Sequence, residues 1–375
     1  MHLTDLALTD FRSHGEVQLR LQPGVTAFTG RNGQGKTNLV EAVAYLATLS
    51  SHRSAGDSAL VRQGAEKAVI RARLVLGDRA ATVSMEILPG QTNRALIGRA
   101  KVKPVELLGV TRAVSFVPED LVLVKGGPDM RRRYLDELTL QLRPSMAGVL
   151  SDYDKVIRQR AALLRALAPL SGQERRRGID GLEVWDAPAA ALGAAITTQR
   201  VALAERLRPR IERLYGQLAA GAAATLAYKA TVEISPDDAV GTVEGKLLEA
   251  MGQARGREIE RGVSLYGPHR EELELTLNGL PARGYASHGE SWSLAVALRL
   301  GAFEVIRDEL QDDPILILDD VFAELDADRR RALTESIKGV EQVLVTAAVA
   351  TDLPEGLVDR WYTVGDGQVV AGDGG

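Results

Sequence analysis

Apolar residues in the first third of the chain mostly alternate with polar ones, the period of half-buried strands. Val17, Leu19 and Leu21 alternate after an earlier strand-like run, and Val25 to Thr29 is a short apolar stretch suited to a buried parallel strand. Leu39, Val40, Val43 and Leu46 then recur at helical steps, predicting a helix over 36–48. Ala68 to Leu76 alternates up to Gly77-Asp78, and Ala81, Val83, Met85 and Ile87 alternate after it, which predicts a β-hairpin. One more strand, holding Val114 and Phe116, precedes Pro118-Glu119-Asp120-Leu121.

The period changes near Gly126-Gly127-Pro128. From there to about 220 it is helical: Leu135, Leu138, Leu142, then Val149, Leu150, Tyr153, Val156, Ile157 and Leu164. Pro144 and Pro209 limit or kink these helices. Residues 168–186, with Pro169, Ser171-Gly172, Arg175-Arg176-Arg177-Gly178 and Gly181, read as an exposed loop. Asp186 then caps a helix with Pro188 in its first turn. Alternation returns at Tyr228, Ala230, Val232 and Ile234, followed by a helix near 240–260. Leu273, Leu275 and Leu277 lead into Asn278-Gly279, a type I′ hairpin signal.

Three stretches carry chemistry. Gly30-Arg31-Asn32-Gly33-Gln34-Gly35-Lys36-Thr37-Asn38 joins the apolar strand to the helix with the spacing of a Walker A phosphate loop. Its glycines let successive N–H groups turn inward on a phosphate chain, Lys36 adds a mobile charge, and Thr37 suits a Mg²⁺ ligand. Residues 314–326, Pro-Ile-Leu-Ile-Leu-Asp-Asp-Val-Phe-Ala-Glu-Leu-Asp, form a Walker B pattern, a buried strand delivering carboxylates to a crevice. Asp319 is placed to hold Mg²⁺, largely through water, and Asp320 to orient or deprotonate an attacking water. Just upstream, Ser287-His288-Gly289-Glu290 opens an apolar helix with a serine cap, an N-terminus able to face an anion.

Composition narrows the classes. The 375 residues suit two domains or one with a large insertion, and the absence of cysteine excludes disulfides and cysteine-zinc sites. The five histidines show no metal-ligand spacing. No stretch is apolar for the roughly 18 residues of a membrane span, and the N-terminus lacks signal-peptide character, so a cytoplasmic protein without a membrane partner is expected. The net charge of −4 conceals a division: 17 acidic and 6 basic residues give 301–375 a net −11, leaving +7 on 1–300. That distribution fits a polyanion bound locally, although solvated arginine-rich helices give the same count.

The order of these motifs resembles that of the ABC-type ATPases, in the branch of SMC-type chromosome ATPases and the RecF family of bacterial recombination mediators. The likeness to the RecF family spans essentially the whole chain. It rests on Phe11-Arg12-Ser13, Gly30 to Asn38, Pro118-Glu119-Asp120-Leu121 with Lys125-Gly126, Arg131-Arg132-Arg133-Tyr134-Leu135-Asp136, Tyr266-Gly267-Pro268-His269-Arg270, Ser287 to Glu290, and Leu318 to Asp326. It implies an α/β fold: an ABC-type ATPase head with a phosphate loop and mixed sheet, carrying an inserted, mainly helical second lobe. Residues 1–125 and 263–375 would form the two parts of the head and 126–262 the insertion. It further implies ATP and Mg²⁺ as cofactors, with Arg12 approaching the nucleotide. Two heads would sandwich ATP, Ser287, Gly289 and Glu290 of one meeting the γ-phosphate held by the other. This ATP-dependent homodimer would clamp duplex DNA near single-strand gaps, associate with the nucleoid, and help load RecA together with RecR and RecO. Slow, DNA-dependent hydrolysis would release it.

The DNA-contact candidates are Arg131, Arg132, Arg133, Arg175, Arg176, Arg177, His269 and Arg270, with solvated or internally paired charge as the competing reading for each. Asp320 stands where ABC ATPases commonly have glutamate, no switch histidine lies in 341–352, and no Q-loop glutamine lies in 110–125. These departures point away from transporter subunits. An SMC-like structural head is the alternative, opposed by the lack of long heptads between Thr37 and Ser287.

Overall fold

A computed structural model describes residues 1–54, 56–219, 222–365 and 367–372, without the side chains of Arg175, Arg176 and Arg177. The strands are β1 (His2–Phe11), β2 (His14–Arg20), β3 (Gly24–Thr29), β4 (Ala68–Leu76), β5 (Arg79–Ile87), β6 (Arg94–Ile97), β7 (Ala100–Val102), β8 (Ala113–Phe116), β9 (Ala224–Lys229), β10 (Glu272–Leu277), β11 (Leu280–Pro281), β12 (Ile315–Asp319), β13 (Gln342–Ala347), β14 (Arg360–Gly365) and β15 (Gln368–Gly372). The helices are α1 (Lys36–Thr48), α2 (Leu121–Lys125), α3 (Pro128–Leu142), α4 (Met146–Leu167), α5 (Gly172–Leu218), α6 (Val240–Arg261), α7 (Ala282–Tyr285), α8 (His288–Leu310) and α9 (Ala327–Ile337). They fall into two compact units: Met1–Lys125 with Arg210–Ala224 and Leu277–Gly375, and Gly126–Pro209 with Thr225–Thr276.

The first unit contains two six-stranded sheets. In one, β14, β3, β13, β12 and β8 run parallel, with β15 antiparallel on the edge beside β14. The other is the antiparallel series β2-β1-β4-β5-β6-β7. Leu6, Leu8, Leu19, Ile70 and Leu74 of the antiparallel sheet share a core with Leu39, Val43 and Leu46 of α1 and Ile317 and Leu344 of the parallel sheet. Burial on nearly every side explains why α1 is apolar almost all round, with Leu39, Ala42, Val43 and Leu46 fully enclosed. The predicted hairpin is β4–β5, and Asn278 (φ 48°) and Gly279 (φ 81°) take the left-handed conformations of the turn expected there.

The second unit is mainly helical, and it corrects three expectations. Residues 168–186 are not an exposed loop, because α5 starts at Gly172. Asp186 is not a cap but lies inside that helix, 4% exposed, accepting bonds from Arg160 Nε (2.7 Å) and Arg255 Nη2 (3.0 Å). Pro188 therefore sits inside a helix, and tertiary ion pairing has outweighed local turn chemistry. The strand expected through Tyr228 to Ile234 ends at Lys229; Val232 and Ile234 instead pack against Val243 and Leu247.

The expected boundaries also move. Residues 263–276 group with the helical unit rather than the head, and 210–224 group with the head. Thr197 and Tyr228 hydroxyls donate to Glu271 Oε2 at 2.8 and 2.6 Å, and Arg131 Nε donates to Glu272 Oε1 at 2.8 Å, which ties β10 to the helices. Arg210 and Arg213, near the end of α5, instead pair with Asp308 and Glu304 of α8.

Candidate functional site

β3 ends in the middle of the parallel sheet, so the loop after it emerges where the strands' carboxyl ends open a crevice. Two glycines there are required by contact as well as by angle. Gly30 has φ 149°, and a Cβ on it would lie 2.1 Å from Val364 O. Gly35 has φ 101°, and a Cβ on it would meet Ser13 Oγ at 2.6 Å and His14 Nε2 at 2.7 Å. Lys36, 4% exposed, folds its ammonium back to donate to Gly30 O at 2.7 Å and Arg31 O at 3.3 Å, and reaches Asn32 Oδ1 at 3.4 Å. Asn38 donates to Ser13 Oγ and accepts from Arg53 Nη1, both at 2.8 Å. Arg31, Asn32 and Gly33 are exposed and Gln34 is half-buried.

The parallel register Asp319↔Thr346 brings Walker B beside the loop. Asp319 Oδ1 accepts from Thr37 Oγ1 at 3.0 Å and from Thr346 Oγ1 at 2.5 Å. Burial pushes its pKa up to about 6, with the Thr346 hydroxyl opposing the rise and Asp320 adding to it. Asp319 has no ion-pair partner among the described residues, and a buried carboxylate in that condition suits a cation. Thr37 and Asp319 would hold Mg²⁺, with phosphate oxygens and water completing its shell, and the ion would neutralise charge on the phosphates. Asp320 is half-buried at φ 52°, a strained conformation for a non-glycine residue, with its N–H donated to Thr346 Oγ1 at 2.9 Å. Thr346 thus holds the Asp319 carboxylate and the Asp320 backbone. The sequence showed it only as the residue present where no switch histidine was found; its role follows from strand register.

Arg12 is engaged by residues of α1 and the segment after it. At φ 54°, it donates Nε to Glu41 Oε2 at 2.9 Å and Nη2 to Glu41 Oε1 at 2.5 Å, while Nη1 holds Ala59 O at 2.9 Å. Glu41 is one turn of α1 beyond Thr37 and 1% exposed, so the arginine is occupied in neutralising a buried carboxylate. Neither Glu41, the partner of Arg12, nor Arg53, the partner of Asn38, was legible, because each pair meets only through space.

Ser287 caps α8 reciprocally: its N–H donates to Glu290 Oε2 at 2.8 Å, and its Oγ accepts from Glu290 N at 3.3 Å. The Ser287 hydroxyl and N–H hold the Glu290 carboxyl below its ordinary range. Gly289 leaves room for Arg329, whose Nη1 would lie 2.9 Å from an added Cβ. Arg329 is anchored by Asp326, the cap of α9, through Nη1–Oδ2 at 2.6 Å.

In the helical unit, several DNA-contact candidates are already committed. Arg131 is 5% exposed and forks onto Glu272, so it is a structural cation and not a surface one. Arg132 donates to Glu271 O at 2.9 Å, and Arg270 donates Nε to Ser264 O at 2.9 Å while staying exposed. Arg133 is exposed. His269 lies against Tyr153 OH at 2.7 Å; burial, joined by the charges of Arg270, Arg132 and Arg160, pushes its pKa down to about 4. It is neutral at physiological pH and supplies no charge to a phosphate. The side chains of Arg175, Arg176 and Arg177 lie outside the described residues. No described helix is long and apolar enough to cross a membrane.

Known proteins share this architecture. Residues 2–364 match the RecF/RecN/SMC N terminal domain family. The chain is 53% identical to the DNA replication and repair protein RecF of Frankia alni, covering 99% of each, and 51% identical to that of Beutenbergia cavernae, covering 99% of each. A solved structure of the recombination mediator protein RecF with ATP, in the RecFOR pathway, superposes with TM-score 0.89 at 26% identity over 99% of this chain and 98% of that one. The Smc head domain of Pyrococcus furiosus, at TM-score 0.56 and 15% identity over 99% of this chain and 96% of that one, shares the fold. A full-length match at this identity, joined to a phosphate loop and Walker B in one crevice, places the chain in the RecF family of DNA replication and repair proteins.

Proposed function

We propose that the chain is an ATP-switched clamp on duplex DNA. ATP with Mg²⁺ binds at Gly30 to Asn38, the Lys36 ammonium exchanging its loop carbonyls for the outer phosphates. Thr37 and Asp319 hold the metal. Ser287, Gly289 and Glu290 of a second copy then close on the γ-phosphate, making nucleotide part of a homodimer interface, so that binding drives assembly. Asp320 orients the attacking water, and slow, DNA-dependent hydrolysis returns the protein to its open state. The clamp acts at single-strand gaps, where with RecR and RecO it helps load RecA.

The observation that carries this reading is the triad Thr37–Asp319–Thr346: a buried carboxylate with no cationic partner among the described residues, held by two hydroxyls beside the phosphate loop. Analytical ultracentrifugation with a labelled gapped duplex tests it, comparing ATP, ADP and no nucleotide. Doubling of mass and co-sedimentation of DNA with ATP alone are expected. Nucleotide binding that leaves both mass and DNA association unchanged overturns it.

A further inference from the structure

With Arg131 forked onto Glu272 and His269 neutral, phosphate contacts must come from other surfaces of the molecule. The outer face of the antiparallel sheet supplies one. Leu6, Leu8, Leu19, Ile70, Ala72 and Leu74 point into the core, so their neighbours along each strand point out. Register lines up Arg20, Asp5, Arg73 and Thr82 across four strands. The next row is Gln18, Ala7, Arg71 and Ser84, continuing to Leu96 and Lys101. The two rows thus carry four cations and one carboxylate, Asp5, which accepts a hydrogen bond from Thr4 Oγ1 at 2.8 Å.

Arg20, Arg71, Arg73 and Lys101 are exposed, and none has an ion-pair partner among the described residues. At the margin of the sheet, Glu86 of β5 holds Lys67 at 3.0 Å, and Asp10 of β1 holds Arg62 at 2.7 Å. Between Arg20 and the Arg71–Arg73 pair runs a shallow groove of about 600 Å³.

We propose that this face holds the sugar–phosphate backbone of duplex DNA, with Arg20, Arg71 and Arg73 as its phosphate contacts. The proposal rests on the duplex-DNA reading above and assigns its surface. Positions two apart on a strand are about 6.6–6.8 Å apart and neighbouring strands about 4.8 Å apart, so the rigid sheet spaces its cations on the length scale of successive phosphates. None of the described residues lining the groove is aromatic. Single-stranded DNA is gripped by stacking its bases on aromatic rings, so this face suits a regular backbone and little else. The contacts carry no base information, and binding through them is salt-dependent and indifferent to sequence.

The test is fluorescence anisotropy of a labelled blunt duplex and a labelled single strand with the full chain and Mg-ATP, over a range of salt. The triple variant R20Q/R71Q/R73Q is compared with wild type and with R331Q/K338Q, a control neutralising exposed cations of the same unit. All three substitutions lie at exposed positions, and an unchanged thermal midpoint verifies the fold. Duplex affinity of the triple variant is expected to fall about tenfold or more, with the slope of log K against log salt shallower by up to ~2.7. Duplex affinity and slope equal to wild type overturn the assignment while leaving the DNA reading intact. Equal losses in the control, or an equal loss on single-stranded DNA, also overturn it. Wild-type protein that binds no duplex in any nucleotide state overturns the DNA reading itself.

Discussion

Among the described residues Asp319 has hydroxyl donors but no cationic partner, so its ionised form is costly in the chain by itself. Its pKa is about 6 in the folded chain against 3.8 for the free group. A raised acid binds its proton more tightly when folded, so the penalty is absent below about pH 4, grows between about 4 and 6, and is complete above. Asp319→Asn is therefore expected to stabilise the nucleotide-free protein by about 3 kcal/mol at neutral pH, with most of the gain lost near pH 4. Urea unfolding at both pH values checks it; equal gains at the two would show that ionisation is not the cause. Binding of Mg-ATP should weaken in the same variant, since Mg²⁺ needs the anion. At this level the sequence was legible wherever chemistry is contiguous. Lys36, Thr37 and Asp319 announced themselves, whereas Thr346, Glu41 and Arg329 act across strands or helices and left no local signal.

The helices of the second unit are joined by charge as much as by apolar packing, which is why their limits were misread. Arg160 of α4 is fully buried and donates to Asp186 Oδ1 at 2.7 Å, Ser264 Oγ at 2.8 Å and Glu258 Oε2 at 2.6 Å. One guanidinium thus links α4, α5, α6 and the segment after α6. A stretch with proline, glycine and three arginines reads as loop by propensity, yet the anchored Asp186 and the apolar Leu164, Leu182 and Ile259 around it keep α5 helical. Arg160→Ala leaves buried Glu258 without its cation and Asp186 with Arg255 alone, and is expected to cost roughly 3–5 kcal/mol. Adding Glu258→Gln and Asp186→Asn should recover part of that loss, because the groups left behind are then uncharged. Amide exchange in α4 and α6 measures both, and a single variant as stable as wild type would refute the anchoring role.

Chain order and spatial order diverge most in the head, which is assembled from three separate segments. β3, which carries the phosphate loop, pairs with β13 through Val25↔Val343 and with β14 through Thr26↔Arg360, strands more than 300 residues later. Local periodicity could identify each strand but not this insertion of an N-terminal strand between two C-terminal ones. Nor could it place 263–276 with the helices, since β9–β10 pairing and the Glu271 contacts set that limit. Such pairing bears the loop-closure entropy of nearly the whole chain, so the loop cannot be held in shape until the C-terminus arrives. Ending the chain after Glu341 removes both neighbours of β3 together with Thr346. That chain is expected to lose amide protection in β1 to β4 and all binding of a fluorescent ATP analogue, while α4 and α6 keep their protection because their partners lie within their own unit. Ending it after Gly365 removes only β15, an edge strand bonded to β14, and should leave nucleotide binding within about threefold of wild type, a loss of no more than ~0.7 kcal/mol. Nucleotide binding that survives the first truncation would mean that the loop folds locally and that the sheet merely surrounds it.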